Sequence, residues 1–151
     1  MVCFQKDTAI RDFTDRSRWP ELLSIWEAAV RDSHDFLSEE DIAFFRDKIP
    51  SEYLPYLGIF GITDGQDNLC GFMALSDEMI EMLFIHPSTQ GKGYGTRLLR
   101  FATEVRGIRR VDVNEQNPKA LAFYQSKGFK IMGRDATDSS GKPFPILHLS
   151  L

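Results

Sequence analysis

The sequence predicts an α/β fold of the mixed (α+β) kind, a sheet flanked by helices in three layers. Three observations carry that prediction. Short apolar runs alternate with amphipathic stretches, in the order strand, two helices, three strands, helix, strand, helix, two strands. The length of 151 residues suits one core, so residues 1–151 read as a single domain. Hydrophobic residues make up 42% and charged residues 26%, which excludes long disorder, a collagen-like repeat and a disulfide scaffold.

Taken in order, Ala9 to Phe13 reads as a short strand. Pro20 suits a first helical turn, where its missing N–H costs little. Leu22, Trp26, Ala29 and Val30 follow at helical spacing, so Trp19 to Arg31 is read as an amphipathic helix. Ser38 is placed to cap a second helix with an acidic first turn. Ile42, Phe45 and Ile49 continue its apolar face, and Pro50 marks its end. Tyr56 to Thr63, Leu69 to Ser76 and Met79 to Ile85 are apolar runs separated by turn signals, and read as an antiparallel meander. Thr96 to Arg106 is helical, with Leu98, Leu99, Ala102 and Val105 on one face and Gly107 as a left-handed cap. Arg110 to Asn114 is a strand. Asn117-Pro118 opens a last helix that Gly128 closes. Lys130 to Arg134 and Ile146 to Leu151 are final strands around a turn-rich Asp138–Gly141 segment.

Composition bounds the function. The net charge of -4 argues against a nucleic-acid binder. Cys3 and Cys70 belong to no CxxC or Cys/His cluster, so no metal site is read. A disulfide between them is open, with two reduced thiols of a cytoplasmic protein as the favoured reading. No apolar stretch of signal-peptide length opens the chain, and Leu69 to Leu75 is too short to span a bilayer, so no membrane partner is expected. The charge is unevenly spread. Residues 1–89 hold 7 basic and 17 acidic side chains, whereas residues 90–134 hold 10 basic and 3 acidic. A basic segment of that kind attracts an anion, and the acidic one suits a cation.

The stretch from Ile85 to Thr96 carries chemistry. A strand ends, Gly91, Gly93 and Gly95 alternate, and an amphipathic helix begins. Glycines let the backbone turn with its N–H groups converging. The helix start adds unpaired donors and partial positive charge, which together suit a phosphate or pyrophosphate. The P-loop pattern GxxxxGK[ST] is absent, and GxGxG is not the dinucleotide fingerprint GxGxxG. A nucleotide-binding regulator is thereby disfavoured.

The pattern Gln90-Gly91-Lys92-Gly93-Tyr94-Gly95, preceded by Ile85-His86-Pro87, resembles the coenzyme A loop of the GNAT superfamily of N-acetyltransferases. A second signature agrees with it. The run Asn117-Pro118-Lys119-Ala120-Leu121-Ala122-Phe123-Tyr124-Gln125-Ser126-Lys127-Gly128-Phe129 is similar to the family's N-x-x-A-x-x-F-Y-x-x-x-G-F. The match is strong over Met79 to Arg134. Ser33-His34-Asp35-Phe36-Leu37 and Asn114-Glu115-Gln116-Asn117 are further similar to small bacterial members.

The resemblance implies a mostly antiparallel central sheet splayed between its fourth and fifth strands. It implies acetyl-coenzyme A as the donor. Backbone N–H groups of Gly91, Lys92, Gly93, Tyr94, Gly95 and Thr96, after Gln90, hold the pyrophosphate. Leu83, Phe84 and Ile85 pair with the pantetheine arm, Asn117 bonds it, and Phe123 and Tyr124 complete the cofactor site. Tyr124 protonates the leaving thiolate, for a phenol and a thiol have pKa values within about two units of each other. Direct attack by a primary amine, on a small molecule or a peptide, also needs a base. Glu81, two residues before the bulge region on an otherwise apolar strand, is the first candidate, and His34 the second. Trp26, His34, Phe36, Phe44 and Phe144 are candidate walls of the acceptor cleft. A strand after Pro145 is the candidate edge for a homodimer. The rival reading is a non-catalytic acyl-coenzyme A binding module on the same fold.

Overall fold

A computed structural model describes residues 9–151. Seven strands form one sheet in the order β1-β2-β3-β4-β5-β7-β6. They are β1 (Ala9–Asp12), β2 (Gly58–Thr63), β3 (Leu69–Leu75), β4 (Met79–Ile85), β5 (Arg110–Asn114), β6 (Lys130–Asp135) and β7 (Ile146–Ser150). The helices are α1 (Trp19–Ser33), α2 (Glu39–Lys48), α3 (Tyr94–Arg100) and α4 (Pro118–Ser126). Every strand pair is antiparallel except β4–β5, which is parallel.

Each helix begins where local chemistry dictates. Ser38 and Asp41 form a reciprocal cap on α2, each side chain accepting from the other's backbone N–H at 3.1 Å. Trp19, at the start of α1, donates its indole N–H to the Phe13 carbonyl at 2.9 Å inside the core. The buried face of α1, including Leu22, Trp26 and Val30, packs with Ile59, Phe72 and Ala74 on one side of the sheet. On the other side, Leu98, Leu99 and Ala102 pack with Val111, Val113, Leu147 and Leu149. Two cores on two faces make the three layers.

Four expectations shift. The strand expected from Tyr56 starts at Gly58, because Leu54–Tyr56 closes a tight turn in which Leu57 N–H donates to the Leu54 carbonyl. Tyr56 is left 81% exposed. α3 begins two residues earlier than expected and runs into one wide turn, Phe101–Val105, with Arg106 N–H bonded to the Phe101 carbonyl. The extra residue in that turn rotates the helix face, so Val105 is exposed and Ile108 is buried instead. β7 lies between β5 and β6, with both edges hydrogen-bonded, so the strand after Pro145 offers no free edge. The outer strands of the sheet are β1 and β6.

The feature that positions the site lies in β4. Met79 and Ile80 pair with Arg110 and Val111 of β5, and the pairing then stops. On the β3 side, Leu75 faces Ile80 and Ala74 faces Met82, so Glu81 is the extra residue of a bulge. The bulge coincides with the split between the strands, and Glu81 sits in it rather than two residues before it. Beyond it, β4 continues to Ile85 paired only with β3.

Among the described residues no helix is long and apolar enough to cross a membrane, and no group of three His, Cys, Asp or Glu side chains could hold a metal. Cys70 is a buried free thiol; Cys3 lies outside the described residues.

Candidate active site

At the end of β4, His86 to Thr89 make a tight turn. Thr89 Oγ1 donates within this turn, at 3.2 Å from the Cys70 carbonyl and 3.1 Å from that of His86. Gly91 and Gly93 follow at φ values of +81° and +82°. A Cβ at either would meet nothing within 4 Å, so backbone conformation rather than crowding calls for glycine. The loop therefore presents an open, backbone-lined face, and α3 adds its unpaired first N–H groups beside it.

A cleft of about 520 Å³ opens between this loop, the split edge of β4 and the start of α4. Leu83, Phe84 and Ile85 line it from β4, and Gln90, Gly91, Gly93, Tyr94, Gly95 and Thr96 from the loop and α3. Asn117, Phe123 and Tyr124 line it from α4. Lys92 is exposed and is not part of its wall. Lys119, unmarked as a site residue by sequence reasoning, lines the cleft and donates to Gln90 Oε1 at 3.0 Å. Its signal was available as one of the cations of the basic segment.

Tyr124 is 6% exposed and packs edge-on against Phe123 and Phe129. Among the described residues its hydroxyl has no hydrogen-bond partner and no buried side-chain polar atom lacks one, so the oxygen is reached from the cleft. Burial pushes the phenol pKa well above its ordinary value.

A second cavity, of about 480 Å³, is walled by Trp26, His34, Phe36 and Phe144 together with Phe45, Met82, Phe84 and Ile146. Glu52, Glu81 and Asp138 add carboxylates, and among the described residues that line it there is no Lys or Arg. Glu81 lines this cavity but is exposed, although the rest of its strand is apolar. Phe44 lies outside the cavity. Its ring packs on Phe45 and lies under the Lys48 and Lys142 ammonium groups, because the helical turn gives the inward face to its neighbour.

His34 and Phe84 line both cavities. His34 is 8% exposed, and burial holds its pKa below the usual value despite the nearby Asp35 carboxylate. Its hydrogen bonds are directional. Asn117 Oδ1 accepts from Ala120 N–H at 3.2 Å, capping α4, which leaves the Asn117 Nδ2 to donate to His34 Nε2 at 3.4 Å. Ser33 Oγ spends its proton on the Ala29 carbonyl at 2.8 Å and so accepts from His34 Nδ1, also at 2.8 Å.

A split sheet with a glycine loop at its mouth and two neighbouring cavities that share His34 and Phe84 as walls defines a group-transfer enzyme fold. Comparison with known proteins makes the class explicit. Residues 56–131 match the model of the acetyltransferase (GNAT) domain family. The chain is 39% identical over 137 residues to the peptidyl-lysine N-acetyltransferase YjaB of Salmonella typhimurium, covering 89% of this chain and 94% of that protein. It is 38% identical over 130 residues to YjaB of Escherichia coli, covering 86% and 88%. The solution structure of apo-form YjaB from Escherichia coli matches with a TM-score of 0.87 at 36% identity, over 99% of this chain and 97% of that one. The PaiA N-acetyltransferase of Thermoplasma acidophilum, solved in complex with coenzyme A, shares the fold with a TM-score of 0.75 at 21% identity, over 95% and 99%. The chain belongs to the GNAT acetyltransferase family. It is an acyltransferase of the class that uses acetyl-coenzyme A as donor.

Proposed function

We propose that the protein transfers the acetyl group of acetyl-coenzyme A to the ε-amine of a lysine side chain in a peptide or protein. One observation carries this reading: the glycine-loop cleft and the carboxylate-rimmed apolar cavity meet at His34 and Phe84. A lysine has an apolar stem and a cationic head, the two properties that the second cavity complements. The naming of the YjaB relatives as peptidyl-lysine N-acetyltransferases supports the same acceptor.

The donor supplies an activated acetyl thioester, and the cleft fits it. The loop is open where a Cβ would stand, the surrounding segment is basic, and the β4 edge beyond Glu81 has no β5 partner. In this reading the loop N–H groups from Gly91 to Thr96 bind the pyrophosphate. Backbone groups of Leu83, Phe84 and Ile85 hold the pantetheine arm and polarise the carbonyl. Asn117 bonds the same arm, with Phe123 packed beside it.

Tyr124 gives its proton to the departing thiolate. Its raised pKa keeps that proton in place at neutral pH, and a thiolate formed in the same poorly hydrated cleft is made more basic by the same desolvation. Glu81, exposed at the rim, draws in the acceptor ammonium. Cytoplasmic residence belongs to this reading too, in keeping with the free thiol of Cys70.

The test is incubation of the purified protein with acetyl-coenzyme A and lysine-containing peptides, read by thiol release and by the mass of the peptide. Stoichiometric thiol and acetyl-lysine are expected. Coenzyme binding by calorimetry without transfer to any peptide would leave the non-catalytic binding module as the better reading.

A further inference from the structure

We infer that His34 is the base of this transfer, taking a proton from the acceptor nitrogen at Nε2, with Ser33 and Asn117 as the positioning residues that keep it in the competent tautomer. The inference deepens the lysine-acetyltransferase reading and rests on it.

The acceptor nitrogen must meet the acetyl carbon where the two cavities join, and a base must stand there. His34 and Phe84 are the two side chains common to both walls, and only the first of them titrates. Glu81 lines the acceptor cavity alone and is exposed to water. The charged and titratable groups that share the surroundings of His34 are Asp35 on its own loop, Glu52, Tyr53, Tyr56, Glu81 and Asp138 around the acceptor cavity, and Tyr94, Lys119 and Tyr124 around the donor cleft.

Ser33 Oγ has one proton, and the Ala29 carbonyl receives it. Ser33 can then only accept from His34, so Nδ1 carries the hydrogen. On the other side the cap on α4 turns the Asn117 oxygen toward Ala120 N–H and its NH₂ group toward Nε2. Two separate local requirements therefore select one tautomer, with a lone pair at Nε2. The Nε2 contact is long at 3.4 Å, so an amine displaces it at little cost. Burial keeps the ring neutral at pH 7, in support of the geometry.

The lysine ammonium loses one proton to water and attacks as the amine. Its C–N bond forms, a second proton leaves nitrogen for His34 Nε2, the C–S bond breaks, and the sulfur takes the Tyr124 proton. His34 then returns its proton to solvent and Tyr124 is reloaded.

Nitrogen-15 NMR of the protein without donor is the first measurement. A protonated Nδ1 and an unprotonated Nε2 are expected for His34, and the opposite tautomer overturns the assignment. In the transfer assay, His34→Gln should lower kcat by about a hundredfold, as for loss of a general base. The wild-type rate should fall as pH drops through a value below 6.5, and that acid limb should vanish in the variant while coenzyme affinity is kept. Ser33→Ala, which removes the Nδ1 partner along with the bond to the Ala29 carbonyl and leaves the imidazole in place, should lower kcat by about tenfold. A His34→Gln enzyme with wild-type kcat and an intact acid limb overturns the inference. Should that variant not fold, the NMR tautomer and Ser33→Ala decide. A wild-type protein that acetylates no lysine peptide defeats the acceptor reading, and with it this one; wild-type kcat with an intact acid limb in His34→Gln, or wild-type kcat in Ser33→Ala, defeats this one alone.

Discussion

The amide of Asn117 donates to the imidazole of His34 at 3.4 Å across 83 positions of sequence. This contact ties the first residue of the α4 cap to the end of α1, under the opening between β4 and β5. It joins the two halves of the site that the sequence holds apart.

Tyr124→Phe keeps the ring packed between Phe123 and Phe129 and removes only a hydroxyl without a protein partner. Stability should change by less than about 1.5 kcal/mol, as for an isosteric swap. In steady-state assays kcat should fall by about a hundredfold, with coenzyme affinity preserved in calorimetry. An unchanged kcat would remove Tyr124 from the role of acid.

Gly93 and Gly95 should respond oppositely to alanine. Gly93→Ala forces a side chain into φ +82° and should destabilise by about 1–2 kcal/mol in urea unfolding. At Gly95 a methyl would meet Phe123 and Ile85 at ordinary distances of 3.6 and 3.7 Å. Gly95→Ala should therefore stabilise, by about 0.5–1 kcal/mol, through helix propensity. Equal stability of the two variants would contradict the loop conformation.

Glu81→Gln removes one carboxylate from the rim of the acceptor cavity. An exposed charge pair is worth little, so KM for a lysine peptide should rise by about threefold with kcat nearly constant. The rise should disappear in high salt. A hundredfold loss of kcat instead would return the base to Glu81.

His148 bridges Asp112 and Asp135, at 2.7 Å on each ring nitrogen. These two hydrogen bonds raise its pKa, for only the doubly protonated ring donates to both carboxylates. A raised folded-state pKa means that the stabilisation is fully present below the unfolded value near 6.5 and is lost as pH rises through the folded one. The wild-type Tm should therefore exceed that of His148→Gln at pH 5.5, with the gap narrowing as the pH is raised from there to 8.5. A constant gap across that range would show that the bridge is not titrating.

Much of the site was legible because it depends on local chemistry. Gly91 and Gly93 are called for by their own backbone angles, Asn117 and Ser38 by the helices they cap, and Pro20 and Pro118 by their lack of an N–H. Such requirements act over a few residues, so a linear pattern reports them. Val105 turned outward escaped because the wide turn Phe101–Val105 shifts the phase of the helix, whereas Phe45 was already on the apolar face with Ile42 and Ile49, and that same periodicity takes Phe44 out of the cavity wall. The interior position of β7 escaped for a different cause, since strand order is set by pairing between distant segments.

The sequence by itself determined the alternating elements, the glycine loop, the two signatures and the division into acidic and basic segments. Only the tertiary structure decided that Glu81 is the bulged residue where β4 leaves β5, that Lys119 closes on Gln90, and that His34 stands between two cavities with its tautomer chosen by Ser33 and Asn117. The physical reason is the range of the forces involved. Propensity and capping are settled within a turn of chain, whereas burial, register and the direction of a shared proton exist only once remote segments touch.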